Sequence, residues 1–279
     1  MNIPANTRIG AVRLRVRDVK LCSGFYRNAL GLHAISEQDL FVRLGVGGEV
    51  LVELEEDADA ERAANRPGLF HLALLLPSSR ALASWLQHVQ RAGWPLQGAS
   101  DHGVSKAIYL SDPEGNGIEV YCDRDRGRWP FVDGQLRMGT ERLDMQKLLD
   151  LAEGEWAGMS DDTRMGHVHL RVNDIAASEY FYCALLGFDL MQRYGDEARF
   201  VSAGGYHHHL GLNVWHSRGA APAPEKAAGL VHYQILLPAT SSLTVLRARL
   251  EEAAIAVHED EHALSVRDPA GNGIVVRVE

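Results

Sequence analysis

The 279-residue chain has only three cysteines, Cys22, Cys122 and Cys183, an odd number whose spacings match neither a redox pair nor a metal cluster. They are expected to be buried, reduced thiols, which suits a cytoplasmic protein. No apolar run approaches the roughly 20 residues that cross a bilayer, so no membrane partner is expected. The opening MNIPANTRIG has no basic stretch leading into an apolar core and is not expected to act as a secretory leader. Positive charge is scarce as well. The formal net charge is -9, which argues against the basic stripe a nucleic-acid partner would need.

Histidine is abundant instead. There are 13, clustered in HVH and YHHH and near the starts of strand-like runs. Hydrophobic residues make up 46% of the chain, ordinary for a soluble globular protein, and the length suits two domains.

The chain repeats itself. RVRDVKLCSGFYRNALGLHAI from Arg15 matches RVNDIAASEYFYCALLGFDLM from Arg171, each a short strand, an amphipathic helix with an aromatic pair (Phe25-Tyr26, Phe181-Tyr182) and a glycine stop. LALLLPSSRALASWLQHVQRAGWPL from Leu72 matches YQILLPATSSLTVLRARLEEAAIAV from Tyr233, each a strand, a proline break, a helix and a second strand. The segments converge again at SDPEGNGIEVY and RDPAGNGIVVRV, where an Asp-Pro-x-Gly-Asn-Gly turn launches a closing strand.

Four modules of βαβββ type follow, an α+β fold. They run over residues 9–56, 69–122, 165–215 and 230–279, so that 1–122 and 165–279 each hold two modules. Residues 123–164 are a linker, with a helix expected in DMQKLLDLAE. The first-strand anchor falls at Ala11, His71, His167 and His232.

The pattern resembles the vicinal oxygen chelate superfamily of glyoxalases, bleomycin-resistance proteins and extradiol dioxygenases. The four-module length resembles that of the catechol 2,3-dioxygenases, and the resemblance spans nearly the whole chain. It implies paired modules that form two cupped mixed sheets, with metal ligands on first and last strands. Modules three and four would offer His167 and His232, but Val275 stands where the family has a carboxylate. Modules one and two would offer Glu53, His71 and Glu119, but Ala11 leaves a four-ligand set incomplete. Pairing modules two and three completes a set: His71, His167 and Glu119, two imidazoles and a carboxylate. Such a facial triad suits Fe(II) and leaves open positions on it; Mn(II) fits the same ligands.

The resemblance also carries Tyr109, just before the turn of module two, and His102, in the preceding loop at a slightly different spacing from the family's. In YHHHLGLN it places an acid–base histidine at His208. Strand alternation favours His209 instead, because His207, His209, Gly211 and Asn213 would then share the cup face. A bulge at Gly204-Gly205 would reconcile the two. His169 shares the strand face of His167 as a pocket residue, whereas Glu53, Glu55 and Glu56 are expected to end a strand at the surface.

The function implied is ring cleavage of a small aromatic diol with O2, giving a muconic semialdehyde, by an enzyme that forms homo-oligomers. Two rivals use the same scaffold: a glyoxalase-like lyase or isomerase at Glu53, His71 and Glu119, and a metal-free binding protein of bleomycin-resistance type.

Overall fold

Short polar side chains start the helices of the first three modules. In the computed structural model, which describes residues 2–260 and 263–279, Asp18, Ser78 and Asp174 each accept a hydrogen bond from a backbone N–H two or three residues onward. These are the N-caps that fix where a helix begins. Ahead of each cap lies a strand and behind each helix lie three more.

The first module holds β1 (Arg8–Val16), α1 (Val19–Asn28), β2 (His33–Gln38), β3 (Phe41–Val46) and β4 (Glu49–Glu56). The second holds β5 (Gly68–Leu75), α2 (Ser79–Arg91), β6 (Gly98–Asp101), β7 (Ser105–Ser111) and β8 (Gly117–Asp123). Between them and the third lie the short strands β9 (Phe131–Val132), β10 (Gln135–Leu136) and β11 (Glu141–Arg142), then α3 (Met145–Leu149). The third holds β12 (Arg164–Arg171), α4 (Ile175–Glu179), β13 (Asp189–Tyr194), β14 (Ala198–Ser202) and β15 (Leu210–Asn213). Its helix continues past α4 as a π-helical segment, Tyr180–Leu185, unlike the regular α1. The fourth holds β16 (Gly229–Leu237), α5 (Thr240–Glu252), β17 (His258–Asp260), β18 (Ala263–Arg267) and β19 (Gly273–Val278).

The fold is thus α+β with four βαβββ modules, as the repeat implied. Apart from β9 and β10, which pair with each other, the strands form two large mixed sheets. One runs β11-β6-β7-β8-β5-β12-β15-β14-β13 and the other β17-β18-β19-β16-β1-β4-β3-β2. In modules two, three and four the first strand pairs parallel with the last of its own module, and the helix and the two middle strands run between them.

Backbone contacts group the chain into two compact units. Val16–Asp59 with His71–Met165 form one, whose largest fully buried side chains are Trp85, Tyr26 and Tyr121. There the Trp85 indole donates to the Ala29 carbonyl at 2.9 Å, so its one polar atom is satisfied. Met1–Arg15, Ala60–Phe70 and Gly166–Glu279 form the other, around Tyr182, Tyr233 and Phe181.

Each unit holds one Asp-Pro-x-Gly-Asn-Gly turn, built in the same way. Asp112 Oδ1 accepts the Glu114 and Asn116 N–H groups at 2.9 Å, while Asn116 Nδ2 donates to Oδ2 at 2.8 Å. Asp268 repeats the pattern with Ala270 and Asn272 at 2.8–2.9 Å. These turns set the register of the closing strands β8 and β19.

Candidate metal centre

Glu119 lies mid-strand in β8, opposite Ala73 of the parallel β5 and Tyr109 of the antiparallel β7. Two residues before Ala73, and so on the same strand face, is His71. The two side chains meet: His71 Nε2 lies 3.1 Å from Glu119 Oε2, with both residues buried. Two donors at about 2.1 Å from one ion, at right angles, would lie about 3 Å apart, so this spacing fits a shared metal.

His71, Glu119 and His167 each offer one ligand atom, and the three atoms lie within 4.8 Å of one another. Among the described residues no second group of His, Cys, Asp or Glu side chains meets the same test. All three are buried, in keeping with a carboxylate whose burial needs a cationic partner.

Tyr109 and His102 are brought together beside Glu119. The His102 Nδ1 lies 2.7 Å from the Gly139 carbonyl, which can only accept, so Nδ1 carries a hydrogen. In the neutral ring Nε2 is then an acceptor, and the Tyr109 hydroxyl, 2.7 Å away, donates to it. Burial holds the Tyr109 phenol well above its ordinary pKa, and the Glu119 charge pushes the same way. The ring of Tyr109 stands 5.7 Å from that of His71.

The three consecutive histidines behave differently from one another. The His208 ring stands 4.2 Å from the His167 ring, and its Nδ1 shares a hydrogen with His207 Nδ1 at 2.8 Å. His209 is held elsewhere: its Nδ1 accepts the Ala203 N–H at 3.2 Å and lies 2.9 Å from Ser202 Oγ. Strand parity does not decide between them, because β15 begins at Leu210 and the histidines precede it. The chain reaches them through Gly204 and Gly205, both at positive φ. At Gly204 a Cβ would come within 2.4 Å of the Ala5 carbonyl oxygen, so the turn requires glycine.

His169 shares the face of His167 on β12 and packs in an aromatic cluster, 5.1 Å from Phe70, 5.8 Å from Phe200 and 5.5 Å from Trp215. Gly211, opposite it on β15, leaves the space its ring fills, since a Cβ there would sit 2.8 Å from the imidazole. Arg171 and Phe70 belong to no motif; alternation from His167 is the signal that puts Arg171 on this face.

Among the described residues the remaining ligand positions carry no comparable set. Gln234, Val275 and Ser265 hold in β16, β19 and β18 the register of Ala73, Glu119 and Tyr109, so valine and serine replace the carboxylate and the phenol. Glu53 corrects an expectation. It is buried in β4, not at the surface, and accepts Arg43 Nε at 3.0 Å from the adjacent β3. β4 lies between β1 and β3 and is buried on both faces from Leu51 to Leu54, and a guanidinium balances the charge.

With this geometry in hand, the sequence matches the Glyoxalase/Bleomycin resistance protein/Dioxygenase superfamily over residues 8–120 and 164–276. The chain belongs to that superfamily. It is 38% identical over 283 residues to the catechol-2,3-dioxygenase of Bacillus subtilis (strain 168), covering 99% of each chain. Among solved structures it is similar to glyoxalase I from Zea mays, with a TM-score of 0.61 and 15% identity over 98% of this chain and 92% of that one. The cppA protein from Streptococcus pneumoniae TIGR4 gives a TM-score of 0.58 at 15% identity over 98% and 97%. At such identity these two structures speak for the superfamily fold alone. No helix among the described residues is long and apolar enough to cross a membrane.

Proposed function

We propose that the chain is a metal-dependent extradiol dioxygenase that opens the ring of a catechol-type substrate with O2. His71, Glu119 and His167 would hold the metal, Fe(II) by preference, with Mn(II) served by the same donors. The observation that carries the reading is the convergence of two imidazoles and one carboxylate, buried and within 4.8 Å of one another. The near-full-length identity to a catechol-2,3-dioxygenase supports it.

Bound there, the metal supplies Lewis acidity toward the diol and a route for electrons between diol and oxygen. The residues around it handle protons. His208, whose ring lies tilted 4.2 Å from that of His167, would take a hydroxyl proton from the substrate and return it later, with His207 Nδ1 as the hydrogen-bond partner of its Nδ1. Tyr109 would donate a hydrogen bond to the reacting oxygen. Its 2.7 Å bond with His102 Nε2 holds the phenol in place beside Glu119. Phe70, Phe200 and Trp215 cluster around His169 beside the triad and would offer apolar surface to the ring of the diol.

The lyase reading loses its third ligand, because Glu53 already engages Arg43. Protein reconstituted anaerobically with Fe(II) should take up oxygen on addition of catechols and form a coloured ring-opened product. No uptake across a panel of small and bulky catechols would sink the proposal.

A further inference from the structure

Four residues along β12 from His167, on the same face, stands Arg171. Its surroundings contain no counter-charge. Nε is buried without a hydrogen-bond partner, and no described carboxylate pairs with the guanidinium. The guanidinium carbon lies 5.8 Å from the centre of the Phe70 ring, which in turn touches His169 and Trp215. Burial pulls the arginine pKa below its ordinary value with nothing opposing it. Arg171 is half-buried, and an arginine whose inner nitrogen is taken out of water ordinarily has an acid beside it.

The neighbouring strand repeats the anomaly. Asn213 is opposite Arg171 in the parallel register of β15, so both side chains leave the same face of the sheet. The Asn213 Oδ1 accepts the Trp215 N–H at 3.2 Å, which fixes the orientation of the amide. Its Nδ2 is then directed away from that bond, fully buried and without a partner. Donors that are left unmade inside a protein are costly. Here two such donors belong to residues paired across neighbouring strands, beside the rings of Phe70, His169 and Trp215.

We propose that Arg171 and Asn213 form a subsite for a carboxylate carried on the side chain of the aromatic diol. The inference rests on the dioxygenase reading and narrows its substrate to acidic catechols. A carboxylate is planar and presents two oxygens, one for the guanidinium fork and one for the amide N–H. The strand rises about 3.3 Å per residue, so Arg171 starts about 13 Å from His167 along the backbone. That span accommodates an aromatic ring over His169 and Phe70 with a short acidic arm. The Phe70 ring under the guanidinium would hold it in place for that contact.

The test compares 3,4-dihydroxyphenylacetate with 4-ethylcatechol, alike in shape and unlike in charge. With Fe(II)-loaded protein the acid should be preferred in kcat/KM by about 10–100-fold, chiefly through KM, as expected for hydrogen bonds to a charged group. Arg171→Gln and Asn213→Leu should each pull that ratio toward unity, and Arg171→Lys should keep part of it. Melting curves establish that each variant folds. A second measurement needs no turnover: calorimetric binding of 3-hydroxyphenylacetate and 3-ethylphenol to metal-free protein should favour the acid, and Arg171→Gln should erase the difference. Turnover without acid preference overturns the subsite and leaves the dioxygenase standing. Acid-selective binding without turnover of any catechol does the reverse. If acetate displaces the acid and the neutral phenol equally, the pair holds a free anion and the proposal falls.

Discussion

The Tyr182 hydroxyl donates to Asp268 Oδ2 at 2.9 Å, and Tyr26 reaches Asp112 Oδ2 at 3.4 Å across the same sequence separation of 86 residues. In both cases the tyrosine of the aromatic pair ties the helix of one module to the turn of the next. The carboxylates are withdrawn from water and satisfied by four or more donors between turn and phenol, so the repeated sequence motif is also a repeated buried network. Tyr182→Phe should lower unfolding free energy by about 1–3 kcal/mol, since it leaves a buried acceptor short of a donor. Denaturant melts of the two proteins measure this directly.

Asp268 gives the same network a pH dependence. Burial holds its pKa above the ordinary carboxylate range, although its hydrogen bonds pull downward. The folded state therefore binds the proton more tightly than the unfolded chain. The associated stability is fully present below the unfolded value of about 3.9 and is lost as pH rises through the raised folded value. The melting temperature of the wild type, taken relative to Asp268→Asn, should accordingly fall from about pH 4 upward. A difference that stays flat with pH would mean that the carboxyl titrates normally in the folded protein.

Much of the fold is legible in the sequence because the turn and the aromatic pair recur together and each constrains the other. The candidate metal ligands are legible for a related reason: Ala11 and Val275 are visibly unable to bind a metal, and removing their modules from contention leaves one complete set. The acid–base histidine is harder to place. Period-two alternation holds only within a strand, and His207–His209 precede β15 in a turn shaped by Gly204 and Gly205. Glu53 misleads because burial of a strand end depends on which strands flank it. The Arg171–Asn213 pair is hidden in the register between β12 and β15, which neither strand states alone.

Ligand removal should separate the two histidine-bearing sheets. Glu119→Ala deletes the one anionic donor of the proposed triad and should abolish tight iron retention. His232→Ala should retain nearly all of it, because Val275 holds the register position of Glu119 beside that strand. Metal analysis of both variants after gel filtration provides the check; equal loss in the two would place the iron elsewhere.

The cysteines should be slow to react. Burial raises the Cys22 and Cys122 thiols, and it brings Cys183, aided by Glu179 and Asp189, up to about 11. Near neutral pH the reactive thiolate of Cys183 is then depleted by about two orders of magnitude relative to a free thiol. Iodoacetamide should label the native protein slowly and all three residues promptly after denaturation. Cys183 is half-buried rather than buried as expected of all three, so its rapid labelling in the native state would contradict the raised pKa of its thiol.

The assignment of the proton-handling histidine can be decided by two substitutions. The His208 ring lies 4.2 Å from that of His167, tilted by 50°, whereas His209 is anchored through Nδ1 by Ala203 and faces Ser202. His208→Phe keeps a planar ring against His167 but cannot carry a proton, so iron content should persist while turnover falls by about 10²–10⁴-fold. His209→Phe removes an acceptor for a backbone N–H in the turn, and its effect should appear first in stability, by about 1–3 kcal/mol. The two outcomes differ in kind, which protects the comparison from a general loss of folding. Single-turnover rates on iron-matched samples, set beside melting temperatures, read both. A slow step in His209→Phe with none in His208→Phe would transfer the acid–base role to His209, and it would mean that the turn rearranges when substrate enters.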